Sequence, residues 1–138
     1  MNTGGELIQS LKEEIRKGIA LIEHLDDEAY TAKPESPASV GSHFRHNLDF
    51  GTNLIRGLEK GELDYSKRDR DIEVETNRDY AIDRFNSLLL SLSAITESDL
   101  KKPITVRSEV DDSLWVESSL LRELEFIHSH TVHHYALI

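Results

Sequence analysis

Cysteine is absent from the sequence, and prolines and long apolar runs are scarce. Without cysteine the chain forms no disulfides, binds no zinc through thiolates, holds no iron–sulfur cluster and has no thiol nucleophile. No apolar run approaches the roughly 20 residues that a membrane-spanning helix needs, and the first residues lack the basic flank and apolar stretch of a signal peptide. Only three prolines occur among the 138 residues, which suits a fold of long helices.

Negative charge dominates the residues that are present. The 26 Asp and Glu residues against 16 Lys and Arg residues give a formal net charge of −10, which repels nucleic acids and anionic membrane surfaces. We therefore expect a cytoplasmic protein that acts on a small molecule and has no nucleic-acid or membrane partner. The length suits a single domain over residues 1–138, and it leaves open whether the protein is a monomer or a homodimer.

Apolar residues recur every three or four positions in four stretches of the chain, as on one face of an amphipathic helix. This spacing predicts four helices, over residues 4–26, 37–60, 77–97 and 118–138. β-Branched residues on either side of Asp111 and Asp112 predict a short β-hairpin or an extended crossover before the last helix. The charge-dense stretch 62–71 has no period and predicts a surface loop. The expected fold class is all-α, a four-helix bundle.

The chain has no cysteine but seven histidines, and four of the seven lie near the C-terminus. At about 100° per residue, His130 and His134 lie one above the other at the margin of the core-facing stripe of the last helix. His128 lies on the other margin, and His133 points to solvent. Two imidazoles at positions i and i+4 are the arrangement of helical zinc sites. The alternative is that each histidine packs at the helix margin with one hydrogen bond.

A third ligand is expected from a facing helix, because catalytic metal sites generally have three protein ligands and an open position. The second helix offers His43 and His46. Its apolar periodicity directs His43 inward and leaves His46 on the flank. His24, at the end of the first helix, is expected to be exposed, where it favours the negative end of the helix dipole.

Two segments of the chain form a recognisable pattern. One runs from Ser39-Val-Gly to His46 and Asp49, and the other is Arg122-Glu-Leu-Glu-Phe126 followed by His130-Thr-Val-His-His134. Together they resemble the DinB-like superfamily of metal-binding four-helix bundles, which includes thiol-dependent transferases. The resemblance spans most of the chain. It implies an up-down-down-up bundle and a three-histidine metal site formed by His46, His130 and His134. The periodicity places His43 inward, but we choose His46, because a metal site lies at one edge of a bundle, where a residue on the flank of a helix can face the neighbouring helix. His43 is then a neighbour of the site or an extra ligand.

The resemblance also implies a function. A divalent transition metal (Zn, Ni or Fe) held by three histidines with an open position suits a metal-dependent transferase or hydrolase, in particular one that uses a low-molecular-weight thiol. The alternative is a non-catalytic metal-binding or stress-response protein. Members of this superfamily generally continue past the last histidine pair, whereas this sequence stops at Ile138, so it stays open whether the chain is truncated and lacks a segment that covers the site.

Several charged residues are candidates for supporting roles around the metal. Asp49 and Glu123 could accept a hydrogen bond from a ligand imidazole, or they could be solvated helix carboxylates. Arg45, Arg68 and Arg70 could bind the carboxylate of a thiol cofactor, or they could be surface charges paired with nearby acids. No phosphate-binding loop, catalytic triad or dinucleotide motif is present, so the sequence does not identify the substrate.

Overall fold

The computed structural model of the chain describes residues 3–33, 38–67 and 69–138. These residues form helices and a small sheet in the following order: α1 (Thr3–His24), α2 (Asp27–Thr31), α3 (Val40–Lys60), β1 (Glu62–Leu63), α4 (Ile72–Thr76), α5 (Arg78–Ser93), α6 (Glu97–Leu100), β2 (Pro103–Arg107), β3 (Trp115–Ser119) and α7 (Leu120–Ala136). The structure is therefore mostly helical, as predicted, with a three-stranded sheet in addition. None of the described helices combines the length and the apolar character of a transmembrane span.

The four helices predicted from apolar periodicity correspond to α1, α3, α5 and α7, with ends that agree within about one turn. The predicted start of the second helix, at residue 37, lies outside the described residues. Ser39 caps α3, because its side chain accepts a hydrogen bond from the backbone N–H of Ser42. At the other end, Gly61 has φ +71°, the left-handed conformation in which glycine ends helices at little cost.

The long helices pack in a ring, in which α1 contacts α5 and α7, and α3 contacts the same two helices. Each of the four contributes fully buried side chains to one core: Leu11, Ile22, Phe44, Leu54, Leu92, Leu120 and Leu124. Each side chain of this size stabilises the fold by about 1.5–3 kcal/mol when it leaves water. This core holds α3 and α7 side by side, which is the contact that positions the histidines.

The sheet joins the connection after α3 to the connection before α7. β2 and β3 pair antiparallel, with Ile104 opposite Ser118 and Arg107 opposite Trp115, which confirms the predicted hairpin. β1 adds a parallel strand to β2, so the first residues of the predicted surface loop belong to the sheet. The backbone of Gly61 assists this pairing, because its carbonyl accepts a hydrogen bond from the N–H of Thr105 at 3.0 Å.

Two short helices that the periodicity did not predict brace the start of α3. α2 and α4 both contact α3 and also contact each other. Tyr30 of α2 is fully buried, and its hydroxyl donates a hydrogen bond to the backbone oxygen of Val74 in α4 at 2.6 Å. Gly41 lies against the same two helices, so the first turn of α3 is tightly enclosed by neighbouring backbone.

We expect Gly41→Ala to destabilise the protein. An added Cβ would clash with the backbone oxygen of Glu75 and lie 2.8 Å from Cε2 of Tyr30. Alanine normally favours a helix over glycine by about 1 kcal/mol, but overpacking against backbone outweighs this, and we expect a loss of roughly 2 kcal/mol of unfolding free energy. Urea unfolding followed by circular dichroism measures the change. Gly51→Ala is the matched control, since its Cβ would meet only the flexible end of the Leu88 side chain. Equal losses in the two variants would contradict this account.

Candidate metal centre

Three histidines meet where α3 packs against α7. His46, His130 and His134 each offer one ring nitrogen, and these three nitrogens lie within 4.8 Å of one another. The ring centroids are 4.9 Å apart for His46 and His130, 4.6 Å for His46 and His134, and 4.5 Å for His130 and His134. All three side chains are half-buried. Since metal–imidazole bonds are about 2.1 Å long, modest rotations of the rings bring the nitrogens to a common ion.

The sequence offered two candidates on α3, and the structure places both beside His134. His46 belongs to the group of three, as the resemblance implied. His43, which the periodicity favoured, lies with its Nδ1 at 2.9 Å from Nδ1 of His134, close enough for a hydrogen bond. One of these nitrogens donates the proton and the other accepts it. His43 therefore contacts a member of the group directly.

The surroundings keep His134 uncharged at neutral pH. Burial, together with the nearby imidazoles of His130, His43 and His133, lowers the pKa of His134 to about 4. A neutral imidazole has a lone pair to share, and metal binding requires that form. The environment of His134 therefore suits a metal ligand.

The remaining histidines lie apart from this group or at its edge. His24 and His133 are exposed, and His128 is half-buried, which matches the sequence-based expectations for these positions. His133 lies on the solvent side of α7, although its ring centroid is 5.7 Å from that of His134. It therefore serves as a natural comparison for its neighbour in experiments.

Glu123 lies in the interior and bonds to hydroxyl groups. The side chain is buried; its Oε1 accepts a hydrogen bond from the hydroxyl of Tyr65 at 2.6 Å, and its Oε2 accepts one from the hydroxyl of Ser118 at 2.6 Å. The sequence had suggested an imidazole partner or a solvated carboxylate for this residue. Burial excludes the solvated carboxylate, and a hydrogen bond to a ligand imidazole stays a prediction. The two hydrogen bonds join α7 to the chain after β1 and to β3.

The other charged candidates stand in different positions. Asp49 is buried on α3, one turn after His46, and a role as partner of a ligand imidazole stays a prediction. Arg45 has its Nε 3.6 Å from Oε1 of Glu75, as expected of a paired charge. Arg70 is exposed, and Arg68 lies outside the described residues.

An aromatic cluster that the sequence did not predict lies beside His130. Phe50 lies 4.2 Å from His130 between ring centroids, Phe126 lies 5.9 Å from it, and Tyr65 contacts both phenylalanines at 5.1 and 5.3 Å. Phe50 follows His46 by four residues and Phe126 precedes His130 by four, so helical spacing could have found both. Tyr65 lies in the chain after β1 and carried no such signal.

A comparison with known protein families identifies the family of this chain. The sequence profile of the DinB superfamily matches residues 10–138. The chain belongs to the DinB superfamily. No curated protein and no solved structure matches it. The resemblance predicted from sequence is confirmed, and the part of this DinB-superfamily chain that matches includes α3, α7 and the three histidines.

We expect the Tyr65–Glu123 hydrogen bond to make stability pH-dependent in alkali. Burial, followed by the hydrogen bond to Glu123, raises the pKa of Tyr65 above its usual value. The unfolded chain therefore loses this proton at a lower pH than the folded chain does. The contribution of Tyr65 to the free energy of unfolding is fully present below about pH 10 and is lost as the pH rises further. Tyr65→Phe should lower the unfolding free energy by about 1–3 kcal/mol at pH 8 and make the alkaline decline shallower.

Urea unfolding at pH 8 and at pH 11 measures both effects of Tyr65→Phe. Tyr30 is also buried and Tyr135 is half-buried, and burial raises the pKa of both hydroxyls, so part of the alkaline decline should remain in the variant. A variant whose stability falls as steeply as that of the wild type would show that Tyr65 does not contribute to the decline.

Proposed function

We propose that this chain is a metal-dependent enzyme of the DinB type. A divalent transition metal (Zn, Ni or Fe) is bound by His46, His130 and His134 within a single up-down-down-up four-helix-bundle domain. The observation that carries the proposal is the approach of three half-buried imidazole nitrogens to within 4.8 Å of one another. Membership of the DinB superfamily supports it independently.

The donor set fits such an ion and leaves it reactive. Imidazole nitrogens suit Zn, Ni and Fe, and three protein ligands leave at least one position for another molecule. An ion held by these three histidines would act as a Lewis acid and would lower the pKa of a bound water or thiol towards neutrality. We propose a low-molecular-weight thiol as the co-substrate, in a transferase reaction.

His43 acts as a positioning residue for His134. If His134 binds the metal through Nε2, its Nδ1 carries the proton and donates a hydrogen bond to Nδ1 of His43, which lies 2.9 Å away. This hydrogen bond fixes the tautomer and the ring orientation of the ligand, as outer partners of metal-binding histidines generally do. His43 in turn carries its own proton on Nε2.

The proposed setting of the reaction follows from charge. A net charge of −10 repels polyanions, so we propose that the protein works in the cytoplasm on a small molecule, without nucleic-acid or membrane partners, as a monomer or a homodimer.

We expect one metal ion per chain, and we expect its loss in the ligand variants. Each of the variants His46→Ala, His130→Ala and His134→Ala should weaken metal binding by more than about 100-fold. This exceeds the effect typical of removing a residue that only hydrogen-bonds to a ligand. Metal content by mass spectrometry and competition with a chelator measure this. His133→Ala is the control, because it removes an exposed histidine next to His134 and should keep its metal. Equal metal content in all four variants would contradict the three-histidine site.

The melting temperatures of the same variants distinguish a reactive metal from a structural one. An open, reactive site predicts metal loss with little change in melting temperature, whereas a steep fall favours the non-catalytic alternative. Addition of cysteine to cobalt-loaded wild type should then produce a thiolate-to-metal absorption band. A protein that keeps its cobalt but shows no such band at saturating cysteine would contradict the proposed thiol.

We expect His43→Ala to weaken metal binding by about 10–100-fold while the three ligands remain. His43→Gln, whose amide oxygen can still accept the proton of His134, should recover part of this affinity. Competition with a chelator measures the affinities, and the melting temperature of the metal-free proteins reports any general damage. If Ala and Gln variants bind metal as tightly as the wild type, His43 does not position His134.

A further inference from the structure

Phe126 is an apolar side chain that stays exposed beside the proposed metal site. Its side chain is 43% exposed, and it precedes His130 and His134 by four and eight residues, so the three lie on one stripe of α7. Isolated exposed apolar residues are ordinary on protein surfaces. Phe126 differs because it borders the histidines directly, with its ring centroid 5.9 Å from that of His130.

The ring of Phe126 rests on a base of other aromatic rings. It contacts Tyr65 at 5.3 Å and Phe50 at 6.0 Å between centroids, and both of these residues are buried. Phe50 also contacts His46 and His130, at 4.9 and 4.2 Å. The aromatic cluster and the histidine group therefore form one continuous surface, buried at its base and exposed at Phe126.

Hydrogen bonds hold the base of this surface in place. The hydroxyl of Tyr65 donates to the buried carboxylate of Glu123, which also accepts from Ser118. These bonds tie Tyr65 to both β3 and α7, so its ring is a fixed support for Phe126. A ring already held in position loses little conformational freedom when a ligand packs against it.

We propose that Phe126 is a substrate-binding residue that selects molecules with an aromatic or bulky apolar group next to the atom that binds the metal. The inference rests on the proposed function, since it needs an ion at the three histidines. An aromatic group on such a molecule packs against the Phe126 ring and covers its exposed surface. A substrate with a small or charged substituent gains no such contact.

The test uses two ligands with the same metal-binding head. Acetohydroxamate carries a methyl group and benzohydroxamate carries a phenyl group, and their binding to cobalt-loaded protein is followed by visible absorption. Wild type should bind benzohydroxamate about 10-fold more tightly, as one favourable aromatic contact predicts. In Phe126→Ala this ratio should fall to about 2-fold or less, with the affinity for acetohydroxamate unchanged.

Val132→Ala is the matched control. Val132 is 44% exposed on the same helix, but it lies on the face opposite His130 and His134, so its removal should leave the ratio near 10-fold. An equal affinity of wild type for both ligands, or a preference that persists in Phe126→Ala, would overturn the proposal. Cobalt-loaded protein that binds neither ligand would contradict the open metal position of the proposed function, and this inference would fall with it.

Discussion

The packing of α3 against α7 is the constraint on which the site depends. His46 reaches the pair on α7 only because these two helices are neighbours in the ring. Buried Phe44 of α3 contributes to their contact, since its ring centroid lies 5.9 Å from that of Tyr135 of α7. Helix packing brings axes to within about 8–10 Å, which places facing side chains in direct contact. Burial, and then the repulsion between charged imidazoles this close together, lowers the pKa of His134.

The sheet has a second, less obvious role in shaping the same region. β1 leads directly to Tyr65, and β3 carries Ser118 shortly before α7 begins. Glu123 accepts hydrogen bonds from both residues, so one buried carboxylate joins three parts of the chain. A buried carboxylate is costly unless it is well hydrogen-bonded. This requirement explains why Tyr65 is directed inward, where its ring contacts Phe50 and Phe126.

The sequence predicted the long helices well, because each repeats its apolar spacing over several turns. It did not predict α2, α4 or β1, which are too short for a periodic signal and depend on contacts such as the bond from Tyr30 to Val74. The metal ligands were proposed from the spacing of His130 and His134 together with a family resemblance. On α3 the two signals disagree, because the periodicity favours His43 and the resemblance favours His46, and in the structure both lie beside His134.

Glu123 illustrates the limit of reasoning from helical position alone. Its place on α7, seven residues before His130 and on the same side of the helix, predicts a partner of a ligand imidazole or a solvated carboxylate. Its partner Tyr65 lies 58 residues earlier in the chain, in a stretch with no period. The hydrogen bond between Tyr65 and Glu123 depends on the path that the connecting segments take between the helices. The spacing of residues within one helix does not predict that path.

The distribution of burial bears on whether the proposed metal serves structure or chemistry. Structural metal sites contribute folding energy where a chain has little core of its own. Here the fully buried side chains come from all four long helices, and a domain of this size hides roughly two-thirds of its unfolded surface. The three histidines, by contrast, are half-buried at the border of that core. A metal bound at this border would add little to what the core already supplies, and it would lie beside the exposed side chain of Phe126. The placement therefore argues for ligand exchange at the metal as its role.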